Sequence, residues 1–338
     1  MRHFVRFFGI SAAITLGALL AVFFGYGAAA LGVTAVLIGI EVALSFDNAI
    51  VNAKILGSLS PFWQRIFLSV GVIVAIFGMR VVFPIVIVMA TAHETWGAVV
   101  NMALHQPEQY ARALEHAHPA ISAFGGAFLL MLVLYFFYDA QKDVHWLPRF
   151  ERYTSRVARW WLPPILTAVA LVFFAFALPN RYERTTLTAG AVGILLYAAM
   201  RLVLQAVERV TGSATTGLHK TGMAALLTFA YLELLDASFS FDGVLGAFAI
   251  TGKVVLIAAG LGVGALWVRS LTVFMVRRGT LATYKYLEHG AHYAVGVLAM
   301  SMLISIIWNI PELITGLVTL GLIGASLWAS VQALRTRR

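Results

Sequence analysis

Cysteine is absent from the sequence, which excludes disulfides, thiolate metal ligands and cysteine nucleophiles and leaves oxygen and imidazole as ligands for any ion. Charge is scarce as well: 12% of the 338 residues are Asp, Glu, Lys or Arg, against 61% hydrophobic. With a mean hydropathy of +0.87, the chain lies well outside the range of soluble domains. Its apolar segments run to about 20 residues, enough to cross a hydrocarbon core of about 30 Å, and they leave little chain for a separate soluble domain. Acids are the scarcer charge, 15 against 24 Lys and Arg, for a net charge of +9. That excess does not indicate a nucleic-acid partner, because the basic residues stand at the ends of apolar segments, where they orient a chain in a bilayer. The opening "MRHFVRFF" is basic and leads into an apolar stretch with no small-residue cleavage site, so an uncleaved first helix is expected.

Apolar windows predict an all-α membrane protein of about ten transmembrane helices, near 7–25, 29–56, 66–91, 120–138, 161–178, 186–207, 222–250, 253–276, 290–309 and 312–334. Alternating sides from a cytoplasmic N-terminus leaves only Arg112, Arg181, Arg184 and Lys253 outside and puts both termini in the cytoplasm. The longest external segment, 92–119, holds His93, Glu94, His105, Glu108, Glu115, His116 and His118. It reads as a solvated loop, with metal scavenging the alternative. The cytoplasmic stretch 139–160 reads as an amphipathic interfacial helix, Arg on its polar side and Trp and Tyr at headgroup level.

The chain also repeats itself. "SFDN" at 45–48 matches "SFDG" at 240–243, and six residues before each Asp stands another acid, Glu41 in one copy and Asp236 in the other. Arg80 in "FGMRVVFPIVIVM" answers Arg269 in "LWVRSLTVFMV", and "LEH" recurs at 114–116 and 287–289. Three matches in one order indicate a duplication. Five helices per half, an odd number, make 1–180 and 181–338 two inverted repeats, the plan of many secondary transporters.

Five acids fall inside predicted spans: Glu41, Asp47, Glu233, Asp236 and Asp242. Facing lipid they would cost on the order of 10 kcal/mol or more, so they are expected to face one another, water or a cation. Glu41 and Asp47 are about 9 Å and about 120° apart on an unbroken helix. They therefore serve neighbouring subsites, or the helix opens around 45–48 and 240–243, where Ser, Asn48 and Gly243 weaken it. Glu233 and Asp236 share a helix face. Carboxylates supplemented by an amide suit Mn²⁺, Mg²⁺ or Ca²⁺. Arg80 and Arg269 are expected to pair with the acids and hold the cavity closed, or to balance charge. His289 and His292 are expected to be structural, with a proton relay the alternative.

The Glu-x₅-Asp-Asn element at Glu41, Asp47 and Asn48, the second acidic element through Asp236 and Asp242, and the arginines that follow resemble the TerC family of integral membrane proteins. Within it they look like a longer branch known only as a domain of unknown function, over roughly residues 30–310. The resemblance implies an architecture similar to the lysine-exporter superfamily, a place in the bacterial inner membrane, and Mn²⁺ efflux or tellurite resistance. It carries the ligand role onto Glu41, Asp47, Asn48, Asp236 and Asp242. Departures are the extra helices, the His-containing segment and Gly243 in place of Asn48. The leading expectation is a secondary transporter, not an enzyme, with no permanently bound cofactor and a metal ion and the bilayer as partners; a homodimer is left open. Two alternatives remain: a membrane scaffold in metal or tellurite stress, and an intramembrane aspartyl protease using Asp47 and Asp242, against which the missing GxGD signature stands.

Overall fold

The computed structural model describes residues 2–211 and 219–336, without the side chains of 2–6, 208, 210, 211, 241, 242, 245 and 249. The described elements are helices: α1 (Arg2–Leu44), α2 (Phe46–Leu56), α3 (Pro61–Ile73), a π-helical stretch (Val74–Val82), α4 (Phe83–Ala92), α5 (Trp96–His105) and α6 (Pro107–Phe137). They continue as α7 (Pro148–Arg156), α8 (Leu162–Val172) with a π-helical end (Phe173–Ala177), α9 (Glu183–Thr211), α10 (Gly222–Ile250), α11 (Val254–Arg278), α12 (Thr280–Thr283), α13 (Leu287–Ser305) and α14 (Glu312–Arg335).

Seven of these segments are long and apolar enough to cross a membrane: 7–44, 61–92, 107–137, 183–207, 222–240, 254–278 and 312–335. Fewer helices qualify than the ten expected. The first expected span and the start of the second lie in α1, parted as expected by a kink at Gly27, whose φ of 86° suits a residue without Cβ, and the rest of the second is α2. The expected span at 161–178 is a shorter apolar helix, 162–177. The one at 290–309 is α13, which ends at Ser305 and begins with Glu288, His289 and His292. Segment 92–119 is not a loop but α5 and the first turns of α6, because Val99, Ala103, Tyr110, Leu114 and Ala117 give it a buried apolar side. The expected opening at 240–243 is also absent: α10 runs through it without interruption. Only Ser45, with φ −96° and ψ 18°, interrupts the first copy.

The chain divides into two compact units, residues 1–118 with 232–278, and 119–231 with 279–338. Each takes residues from both sides of position 180, so compactness and the sequence repeat divide the chain differently. In the first unit α1 lies against α11. Leu37 joins Val244, Ala247, Ile257 and Leu261 in one buried cluster, and Val22 and Ala30 meet Leu256 in another. Small residues permit this approach, as in other tightly packed membrane helices. A side-chain carbon at Gly260 would lie 2.5 Å from Leu37 Cβ, and one at Gly264 would lie 2.5 Å from Glu41 Cβ. The outer side of α1 stays apolar and exposed at Ile10, Leu16 and Phe24, as a side that faces lipid requires.

In the second unit α13 packs on α14 and α8 on α9. Phe128, Tyr135, Tyr197 and Tyr231 form an aromatic row, and the Arg201 guanidinium lies 3.8 Å from the Tyr135 ring centre.

Candidate cation site

All but one of the buried charged residues described in the first unit are paired with one another. Glu41, near the end of α1, is buried and takes a guanidinium hydrogen bond from Arg80, whose other terminal nitrogen donates to the Ala75 carbonyl at 2.7 Å. Arg80 sits in the π-helical stretch just before Pro84. Pro84 has no N–H to give and its ring crowds the carbonyl four residues back, which is that of Arg80; widening the helix relieves the conflict. Ser45 Oγ donates to Glu41 as well, at 3.3 Å.

The second pair is a three-residue cluster. Arg269 on α11 grips both oxygens of Glu233 at 3.0 and 2.7 Å and reaches Asp236 Oδ2 at 3.4 Å. Glu233 and Asp236 do share one face of α10, as their spacing predicts. Arg269 also donates to the Phe67 carbonyl at 3.2 Å, and its guanidinium carbon lies 4.3 Å from the Phe67 ring centre. Gly71 on α3 makes room: a side-chain carbon there would lie 2.3 Å from Arg269 Nη1 and 2.8 Å from Glu233 Oε1.

Amide side chains extend this cluster. Asn48 Nδ2 donates to Asp236 Oδ1 at 2.8 Å, and Asn52 Nδ2 donates to Asn48 Oδ1 at 2.8 Å. A carboxylate only accepts, so Asp236 fixes which end of Asn48 is the NH₂, and Asn48 in turn fixes Asn52. The order of donors leaves Asn52 Oδ1 buried without a partner.

Asp47 stands apart from these pairs. Its side chain is 2% exposed, Oδ1 accepts the Asn48 N–H at 2.9 Å, and Oδ2 is buried with no hydrogen-bond partner. It lies in the first turn of α2, where the helix dipole favours an anion by about 0.3–1 kcal/mol. That is small beside the several kcal/mol it costs to bury an uncompensated ion.

The expected gathering of five acids is therefore only partly present. Asn48 of the first copy meets Asp236 of the second, but Glu41 and Glu233 are each committed to an arginine of their own copy. The Asp242 side chain lies outside the described residues; its neighbour Gly243 faces Glu41, with a side-chain carbon placed there 3.2 Å from Glu41 Oε2. That closeness is a physical reason for glycine where the first copy has Asn48. Among the described residues no three His, Cys, Asp or Glu side chains gather closely enough to hold a metal ion. A cavity of about 110 Å³ reaches Arg80, lined mainly by Pro84, Tyr110, Val244, Phe248 and Ile257, and brings no carboxylate to it. Asn52, Phe67 and Gly71 were not singled out from sequence. Asn52 stands one turn beyond Asn48, while the other two carry no local signal.

A different buried charge network lies in the second unit. Glu151 on α7 accepts from the Trp146 and Leu147 amides at 3.2 and 3.1 Å and from the Tyr293 hydroxyl at 3.2 Å. Lys142 Nζ stands 3.2 Å and His289 Nε2 3.3 Å from its Oε2. Burial by itself would raise the Glu151 carboxyl, but the hydrogen bonds from His289 and the Leu147 amide, with Lys142 beside it, outweigh that and hold it at about 2. Burial pulls Lys142 below its usual value, against the opposing pull of Glu151. His289 Nε2 also donates to the Val144 carbonyl at 2.8 Å, and His292 stacks on Phe136 at 3.6 Å. Both histidines are thus built into packing.

Long apolar helices with ion-paired carboxylates in their interior define a multi-pass helical membrane protein. The chain belongs to the family described as protein of unknown function DUF475, whose model matches residues 46–337. That match takes in Asp47, Asn48, Asp236, Asp242 and both arginines, and begins after Glu41. No curated protein and no solved structure matches the chain.

Proposed function

We propose that the chain is a secondary transporter that exports a divalent metal cation, Mn²⁺ before Ca²⁺ or Mg²⁺, through the acids Glu41, Asp47, Asp236 and Asp242 with Asn48. The observation that carries this reading is Asp47: a carboxylate 2% exposed with a free Oδ2, while the neighbouring acids Glu41, Glu233 and Asp236 all have an arginine. A buried anion without a counter-charge is costly, and a passing cation supplies one. Ligation by carboxylates with amide oxygens and water suits hard divalent ions, which accept such mixed oxygen shells. Asn52 Oδ1 is a second unmatched acceptor on the same helix.

The arginines fit a switching role in this scheme. When a cation arrives, Arg80 and Arg269 give up carboxylate oxygens; when it leaves, they take them back and close the site. The resemblance to the TerC family and its inverted-repeat relatives supports alternating access, and five acids against two arginines leave enough negative charge for a divalent cation and a coupled proton. The test is metal flux into liposomes that enclose a metal-sensitive dye. Asp47→Asn and Asp242→Asn are expected to abolish Mn²⁺ flux, and Mn²⁺ entry at the wild-type rate in both variants would remove the mechanism.

A further inference from the structure

Helix α7 turns its polar and charged groups in two opposite directions for two different purposes. Glu151 and Thr154 point inward and are fully or almost fully buried, held by the contacts to Lys142, His289 and Tyr293 described above. Residues 149, 152 and 156 fall within about 60° of one another around a helix, so Arg149, Arg152 and Arg156 form one stripe on the outer side. All three are exposed, as is Arg159 just beyond the helix. With Pro148 and Tyr153 the three line a shallow hollow of about 310 Å³.

No acid answers this stripe on its own face, since Glu151 is the sole acidic residue between 148 and 161 and it is turned inward. Large aromatics flank it: Trp160 is 81% exposed, and Phe150, Tyr153 and Trp161 are also open. Directly after Trp161 the chain enters the apolar helix 162–177. A row of arginines beside exposed aromatics, at the foot of an apolar helix, is the chemistry of a headgroup layer. Guanidinium groups take phosphate oxygens two at a time, Trp and Tyr settle at the interface, and each juxtamembrane cation adds attraction to an anionic surface.

We infer that the Arg149, Arg152 and Arg156 face of α7 is a binding surface for the phosphate headgroups of anionic phospholipids in the bilayer that holds the chain. The buried Glu151 network orients it by fixing the rotation of α7, so that the arginines cannot turn inward. This role is separate from cation transport and does not depend on it.

The experiment uses full-length protein in bilayer discs of equal phosphatidylglycerol and phosphatidylcholine, with the lipids that stay bound counted by native mass spectrometry. Wild type is expected to enrich phosphatidylglycerol about tenfold, and each single Arg→Gln at 149, 152 or 156 to reduce that about twofold, within the limit of about 1 kcal/mol per cation near the surface. The triple variant is expected near parity, with an unchanged thermal midpoint because the three side chains are exposed. Enrichment that persists in the folded triple variant would overturn the assignment. So would enrichment that inorganic phosphate abolishes at constant ionic strength, which would point to a free-anion site. Absence of lipid preference with arginine-dependent binding of polyglutamate would overturn it in favour of an acidic protein partner.

Discussion

Replacing Arg269 by methionine removes the cation that holds two buried carboxylates. Its guanidinium meets Glu233 at two points, 3.0 and 2.7 Å, and Asp236 at one, 3.4 Å, and the side chains of all three are at most 10% exposed. Removing one partner of a buried pair costs about 3–5 kcal/mol, because the remaining charge stays behind without compensation. Replacing both Arg269 and Glu233 by methionine is expected to recover part of that loss, since Asp236 still goes without its cation. The bidentate contact disappears as a unit, and Asp236 keeps its hydrogen bond from Asn48 at 2.8 Å. A double-mutant cycle between 233 and 269 should therefore give a coupling of several kcal/mol, well above the less than about 1 kcal/mol of an exposed pair. Equilibrium unfolding in mixed micelles, followed by tryptophan fluorescence, measures it. Arg269→Met within about 1 kcal/mol of wild type, or a double variant no more stable than the single, would refute the view that this pairing holds α10 to α11.

Gly71→Ala should resemble Arg269→Met in unfolding experiments, since the new methyl would stand 2.3 Å from Arg269 Nη1 and force the ion pair apart. Asp47→Asn should leave the protein at least as stable as wild type while abolishing metal flux, because it removes an uncompensated buried charge and Asp47 Oδ2 has no partner to lose; the same thermal scan and dye assay read both. For Glu151 the folded value of about 2 lies below the ordinary 4.5. Its contribution, about 3 kcal/mol at 1.36 kcal/mol per unit, is complete above about pH 4.5 and is lost as pH falls towards 2. Thermal midpoints measured down that range should fall in wild type and change less in Glu151→Gln; parallel curves would remove Glu151 from the acid response.

Much of the architecture was legible because the bilayer imposes a length and a hydropathy that local sequence alone satisfies. The helices containing 186–207, 222–250 and 253–276 lie close to where their apolar windows end. The errors came where tertiary context overrides a window. A buried apolar side made helices of 92–119, whereas the kink at Gly27 divides α1 between the first two expected spans. Glu233 and Asp236 met one arginine because a three-residue spacing fixes a shared helix face. Gly71, Gly264 and the Phe67 carbonyl were invisible, since what each does depends on a helix distant in sequence.

The sequence by itself determined that costly acids and two arginines would lie inside apolar segments, because hydropathy and residue type are properties of each position taken alone. Which acid each arginine takes was decided only by the tertiary structure. Pairing requires two helices to approach to hydrogen-bond distance, and that approach is set by where glycines let backbones close in. Asp47 was left without a cation by the same packing, a difference from Glu41 that no spacing along the chain could reveal.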